Sequence, residues 1–385
     1  MARHGQEDIA TQLVAHLSRA FCRSRRWFPK WNDETLPHLS EEQRNSLSCP
    51  FQEEEIRLVI FSAEGNKAPG PDGFTFWFFQ TFWTLVKADI LQVFTELQSG
   101  RPGLGRLNAS LFTLIPKRSG VSDVNEYRPI CLVNVCYRIV SKVLATRMKK
   151  VSADLIEEAQ TAFIPGRNLQ DGYLVAQEII TTLTKDRRSG VALKLEFEKA
   201  YDSVHRDFLY QVLAQHGFEE QWVMILQRCM ETGHGSVLLN GSPHEFFPLD
   251  RGLRQGDPLS PILFIYVVKA LCRMCKVAMR GGWYNGLAST SSGHRVALVQ
   301  YADDTLMRFE AMEADARAAR FITFCFELVS GLSLNWSKSV LLAVNVPEPQ
   351  RQVLARIVGC EVRDFPARVL GLPLSSSKRK TGTPE

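Results

Sequence analysis

The sequence predicts an α+β fold. Strand-like and helix-like segments interleave along the chain, yet no βαβ nucleotide-binding fingerprint accompanies them, which argues against a doubly wound parallel sheet. Hydrophobic residues make up 45% and charged residues 23% of the 385 positions, as in a globular protein with a sizeable core. The longest purely apolar run, from Ile262 to Val268, is far short of the roughly 20 residues that a membrane span needs. The length suits one large domain or two to three ordinary ones.

Residues 1 to 50 are mixed, polar and helical in part. They lack the continuous apolar core of a secretory signal, and Glu7 and Asp8 argue against a transit peptide. EEEIRLVIFSA (53 to 63) has the pattern of an amphipathic helix, stopped by the glycine- and proline-rich loop GNKAPGPDGF (65 to 74). A helical pattern over 79 to 98 ends near Gly100. ASLFTLIPK (109 to 117) reads as a strand entering a turn, and 133 to 150 as a basic helix. GVALKLEF (190 to 197) alternates and is β-rich. Helices are expected at 206 to 216, stopped by Gly217, and at 220 to 232. GSVLLNGSPHEFFPL is a hairpin turning at Asn240-Gly241, a strong two-residue turn signal. A long apolar helix covers 258 to 280, stopped by Gly281 and Gly282, and another covers 312 to 330, stopped by Gly331. Between them, two strands flank Asp303 and Asp304, with the tight turn at Ala302-Asp303.

The formal net charge of +5 is mild, but basic residues cluster in FCRSRRWFPKW (Arg23, Arg25, Arg26, Lys30), TRMKK (Arg147, Lys149, Lys150) and TKDRRSG (Lys185, Arg187, Arg188). Such clusters suit phosphate contact, although each also fits a solvated surface. Nine scattered cysteines, an odd number, indicate a reducing compartment. Cys272 and Cys275 lie in an apolar helical stretch with no second pair or histidine cluster at zinc spacing.

The chemistry-bearing segments are few. VQYADDTLM sets Asp303 and Asp304 side by side between apolar neighbours. Taken alone, that pair fits a solvated turn as well as an oxygen-rich site for a divalent cation. LKLEFEKAYDSV supplies a second strand ending in acids, with Glu196 on it and Tyr201 just past it. RGLRQGDPLSP is a glycine-bearing loop entering a helix, with Gln255, Gly256 and Asp257 at the junction, where backbone N–H groups suit phosphate or sugar contact. LIPKRSG and EYRPI place Lys117 and Arg128 on either side of a loop, a clamp suited to a triphosphate.

These segments, with KAPGPDGF, RPICLVNVCYRIVSKVLATRMK, AFIPGRNLQDG, GSVLLNGSP, SGLSLNWSKS and LGLPLS in the same order, resemble the reverse transcriptase of non-LTR (LINE-type) retrotransposons, most closely the plant kind. The resemblance covers about residues 37 to 375. It implies a right-hand polymerase fold: an N-terminal extension over 1–50, fingers over 51–190, palm over 191–375 and a tail over 376–385. It implies RNA-directed DNA polymerase activity, with an RNA template, a DNA primer and deoxynucleoside triphosphates as partners and no membrane. Two magnesium ions, for which manganese can substitute, would serve the phosphoryl transfer. By the same resemblance Glu196, Asp303 and Asp304 are the metal-binding catalytic acids, and Lys338 is a general acid near the pyrophosphate. Lys117, Arg128, Tyr201, Gln255 and Gly256 would bind the nucleotide, with the Tyr201 ring excluding a ribose 2′-hydroxyl. An intracellular, nuclear location with cytoplasmic assembly is also implied.

The sequence departs from the family at Glu196, where the family has aspartate. A carboxylate displaced by about 1 Å in a reacting constellation can cost on the order of 100-fold. His205 stands where plant relatives have tryptophan, with an effect on packing alone. Without an endonuclease-like region before the polymerase motifs, and ending at TGTPE, the chain is expected to be an excised fragment of a larger polyprotein with the thumb missing. The alternative to an active polymerase is a catalytically inactive nucleic-acid-binding relic. A palm-fold nucleotide cyclase fares worse, because no GGDEF-like turn is present and RQGDPLSP would go unexplained.

Overall fold

The computed structural model describes residues 2–22, 29–100, 104–105, 107–288, 295–369 and 371–376. Arg23, Arg25 and Arg26 of the first basic cluster lie outside the described residues, as do 377–385 of the expected tail.

The chain opens with helices α1 (Ala2–Phe21), α2 (Glu41–Ser48), α3 (Glu53–Phe61), α4 (Phe76–Thr81) and α5 (Trp83–Ser99). Ser40 and Gln43 start α2 with a reciprocal capping box, and Gly100 ends α5 at φ 85°. Strands β1 (Ala109–Pro116) and β2 (Tyr127–Val133) precede α6 (Val135–Leu155) and α7 (Leu169–Lys185). Next come β3 (Gly190–Leu195), β4 (Phe197–Glu198), α8 (Ala200–Ser203), α9 (Arg206–Gln215), α10 (Glu220–Glu231), β5 (His234–Leu239), β6 (Ser242–Pro248) and α11 (Ser260–Arg280). The chain then forms β7 (Leu287–Ala288), β8 (Arg295–Val296), β9 (Leu298–Tyr301), β10 (Asp304–Phe309) and α12 (Glu313–Ser330). It continues through β11 (Ser333–Leu334), β12 (Val340–Val344), α13 (Glu348–Val358), β13 (Glu361–Arg363), β14 (Ala367–Val369) and β15 (Leu372–Leu374). The mixture is α+β, as the sequence predicts. No helix among the described residues is long and apolar enough to cross a membrane.

The chain divides into two compact units, each made of two stretches: Met1–Leu155 with Tyr201–Leu263, and Ile156–Ala200 with Phe264–Glu385.

The first unit contains a sheet of order β2-β1-β5-β6. β1 pairs antiparallel with β2 and parallel with β5. The β5–β6 hairpin turns at Asn240 and Gly241 as expected, both at positive φ (50° and 81°), as a type I′ turn requires. EYRPI leaves the loop that follows Lys117, as expected, and continues as β2, where Arg128 sits opposite Ile115.

Arg147 corrects an expectation. It is only 4% exposed, and its guanidinium is an internal tie rather than a phosphate contact. It pairs with Glu55, donates to the carbonyls of Leu47, Cys49 and Pro50, and lies 4.1 Å from the Phe51 ring centroid. A buried guanidinium needs such a full set of partners, and α2, α3 and the link between them supply it to Arg147 of α6. Its neighbours Lys149 and Lys150 are exposed, as are Lys30, Lys185 and Arg187.

The second unit is built on a sheet of order β13-β12-β3-β10-β9. β3 is central, antiparallel to both β10 and β12, and Val191, Ala192, Leu193 and Leu195 are all fully buried. Helix α7 covers one face through Ala176, Ile179, Ile180 and Leu183, an apolar stripe at helical spacing, packed with Ala192, Val299, Leu306 and Leu342. Asn168 caps α7, accepting from Gln170 N and Asp171 N.

Candidate functional site

Tyr301 pairs with Asp304 across β9 and β10, which leaves Ala302 and Asp303 as a two-residue turn. Ala302 sits at φ 55°, a conformation that a side chain disfavours and that neighbours must hold. Gln160, 1% exposed, does so: its Oε1 accepts from Ala302 N at 3.0 Å and from Ala162 N at 2.9 Å. The segment carrying it runs alongside β9, with Gln300 N donating to Ala159 O and Thr161 N donating to Gln300 O. Gln160→Leu should leave two buried N–H groups unpaired and lower stability by about 2 kcal/mol or more. Urea unfolding followed by circular dichroism measures this, and a loss within error of zero would mean that the turn holds itself.

Glu196 follows β3 directly. The register pairs Thr305 with Leu195, so the next positions out, Glu196 and Asp304, face each other on one side of the sheet. Like charges directly opposite are unfavourable. The compensating charge is Lys194, two residues earlier on the same face: its Nζ lies 2.5 Å from Glu196 Oε1 and 3.9 Å from Asp304 Oδ1. Burial, and then the charges of Glu196 and Asp303 acting against Lys194, hold the Asp304 carboxyl above the usual aspartate range. Asp303 is exposed in the turn.

The 335–339 turn is fastened to the same place. Asn335 N donates to Glu196 O at 2.7 Å, and Glu196 N donates to Ser339 Oγ at 3.2 Å. Lys338 stands in that turn with its backbone N–H on Asn335 Oδ1 and its side chain exposed.

Carboxylate oxygens are the donors a hard divalent cation prefers. Among the described residues no three His, Cys, Asp or Glu side chains form a ready-made cage for a metal. Magnesium does not need one: it is usually held by one or two carboxylates, with waters and substrate phosphates completing its shell. Glu196 and Asp304, which already share the positive charge of Lys194, fit such a partial site.

The remaining predicted residues lie in the first unit. Lys117, just past β1, and Arg128 on β2 are exposed on the same face of one hairpin, and Lys117 Nζ donates to Asn125 O at 2.9 Å. Tyr201 is half-buried in α8, and its carbonyl accepts from Leu253 N at 2.7 Å. Gln255 O accepts from Cys131 N at 2.7 Å, which seats the loop on β2. Gly256, at φ 108°, is required there, since a Cβ would come within 2.6 Å of Cys131 O.

An ion pair overlooked in the sequence holds this loop. Asp257 and Arg254 are each 5% exposed, and Arg254 Nη2 donates to Asp257 Oδ2 at 3.1 Å. Asp257 also accepts from Ser141, from Tyr137 Oη at 3.2 Å and from Leu259 N at 3.0 Å. Arg254 donates to Asn108 Oδ1 at 2.6 Å and lies 4.3 Å from the Tyr137 ring centroid. The spacing of RQGD hints at an i,i+3 pair, but only burial makes it structural.

A family profile described as "Reverse transcriptase (RNA-dependent DNA polymerase)" matches residues 115–374. The chain is 30% identical over 305 residues to the "Transposon TX1 uncharacterized 149 kDa protein" of Xenopus laevis, covering 79% of this chain and 23% of that protein. It is 27% identical over 300 residues to the "Retrovirus-related Pol polyprotein from type-2 retrotransposable element R2DM" of Drosophila melanogaster, covering 78% of this chain and 27% of that one. The chain thus spans about a quarter of the length of these two relatives. A solved apo telomerase structure from Candida tropicalis superposes with a TM-score of 0.45 at 14% identity, over 71% of this chain and 57% of that one.

Proposed function

Since this chain belongs to the reverse transcriptase (RNA-dependent DNA polymerase) family, as a domain of non-LTR retrotransposon origin, we propose that it adds deoxynucleotides to a DNA primer on an RNA template. The observation that carries this reading is the acid turn of β9–β10 standing opposite Glu196 at the end of β3. The plant-type assignment rests on the wording of the motifs, LKLEFEKAYDSV and RGLRQGDPLSP above all.

In this reading Glu196, Asp303 and Asp304 hold magnesium, or manganese in its place. The bound ions would lower the pKa of the attacking primer hydroxyl and neutralise charge on the phosphates. Lys117 and Arg128, on one face of their hairpin, hold the triphosphate. Tyr201 excludes a 2′-hydroxyl by its ring, and the side-chain-free Gly256 lets the loop backbone approach its ligand closely. Lys338, exposed at the turn fastened to Glu196, gives a proton to the leaving pyrophosphate. We assign 51–190 to fingers and 191–375 to palm by the same reading.

The test is addition of one deoxynucleotide to a primed RNA by the purified chain, with and without magnesium. Metal-dependent addition is expected. A folded chain that binds primed RNA yet adds nothing in magnesium or manganese would leave the second reading, an inactive nucleic-acid-binding relic. One contact favours that reading: the carboxylate of Glu196 is engaged by Lys194.

Glu196→Asp shortens the arm by one methylene and draws the carboxylate back from Lys194. Single-nucleotide addition at saturating primer-template should rise about tenfold or more, with little change in RNA affinity. Equal rates for both forms would show that glutamate serves as well as aspartate.

A further inference from the structure

We propose that Lys194 is a built-in counter-cation of the Glu196–Asp304 pair, which a divalent ion must displace in order to bind. The inference rests on the reading that these acids take the metal. Three observations carry it. Lys194 lies on the same face of β3 as Glu196, and among the described residues its ion pairs are with Glu196 at 2.5 Å and Asp304 at 3.9 Å. Its strand neighbours in register, Leu306 and Val340, are apolar, so neither offers a competing partner. Its side chain is 21% exposed, so water screens the ammonium less than it screens a surface lysine.

The ammonium therefore does two opposing things. Without metal it relieves the repulsion between two facing carboxylates. When a divalent ion approaches the same oxygens, two cations compete for one place, and their repulsion in a partly buried setting is strong. The four-carbon stem of lysine is flexible enough to swing away, so the ion is admitted at a cost in affinity. The competition tunes the metal dependence of the chain.

The experiment is manganese binding by the whole chain, read as loss of the free Mn²⁺ signal in electron paramagnetic resonance, alongside thermal melts with EDTA or with Mn²⁺. Lys194→Met keeps the stem and removes the charge. It should bind Mn²⁺ tenfold or more tightly than wild type, melt lower in EDTA and gain more from added Mn²⁺. Lys194→Arg should stay near wild type, and Lys194→Gln replaces the methionine variant if the latter fails to fold. Unchanged or weaker Mn²⁺ binding by a folded, uncharged variant overturns the proposal. Asp304→Asn separates the two layers. If it binds Mn²⁺ as wild type does, or if no variant binds at all, the metal assignment of the acids fails; if only it loses binding while Lys194→Met gains, both stand.

Discussion

Asp304→Asn should lower single-nucleotide addition on the order of 1,000-fold, the scale on which one preorganised electrostatic group acts in a transition state. The substitution keeps the volume and removes the charge. It should not harm the fold. Burial, with Glu196 and Asp303 adding to it against Lys194, raises the Asp304 carboxyl above the ordinary aspartate range. The folded chain therefore takes up this proton more readily than the unfolded chain does. Stability contributed by the protonated group is present at low pH and falls as pH rises from the ordinary aspartate pKa through the folded one. Asparagine removes that slope, so at neutral pH the variant should melt at the same temperature as wild type or higher. Rapid-quench addition and a melting curve on the same preparation check both halves. An undiminished rate would sink the assignment of Asp304, whereas a lost rate with an equally lost fold would reduce its role to a structural one.

Asp257→Ala should destabilise the chain by about 3–5 kcal/mol, because it leaves the buried Arg254 guanidinium without its counter-charge. The carboxylate also collects hydroxyls from Tyr137 and Ser141 and the N–H of Leu259, so several groups lose a partner at once. The double variant Arg254→Met with Asp257→Leu should recover most of the loss, since a well-packed apolar pair can replace a buried ion pair. Urea denaturation of the three forms measures this. A single-variant loss below about 1 kcal/mol would mean that water reaches the pair. The functional side of the same contact is the loop itself: Gln255 and Gly256 are seated on Cys131 only while the residues on either side of them are held.

The parts of this fold that were legible in the sequence are those with local causes. Asn240-Gly241 turns a hairpin because both positions need positive φ, and Gly100 and Gly331 stop their helices for the same reason. The turn at Ala302-Asp303 was legible from the strand patterns on either side of it. Other features were present but not read. Asn168 and Asp171 form a capping box, and the residues from Ala176 to Leu183 carry a helical stripe, yet α7 was not anticipated. The loop between Lys117 and Arg128 was legible, but not that Tyr127–Val133 leaves it as a strand, in which Pro129 pairs with Leu114 at the edge of its sheet. What no local pattern reveals is partnership at long range. Arg147 looks like part of a basic patch until Glu55 and three carbonyls are folded around it. Lys194 looks like an ordinary strand lysine until the register with β10 brings Asp304 beside it.

The central place of β3 has a consequence for synthesis on the ribosome. Its two neighbours, β10 and β12, are encoded roughly a hundred or more residues downstream. At the usual pace of about 5–20 residues per second, this strand waits several seconds for either partner to be made. Throughout that interval both of its hydrogen-bonding edges are open, and so is the face of Val191, Leu193 and Leu195 that α7, already made, does not cover. Such a strand is a template for pairing with a neighbouring nascent chain. Slowing translation between β3 and the acid hairpin is therefore expected to lower the yield of folded protein.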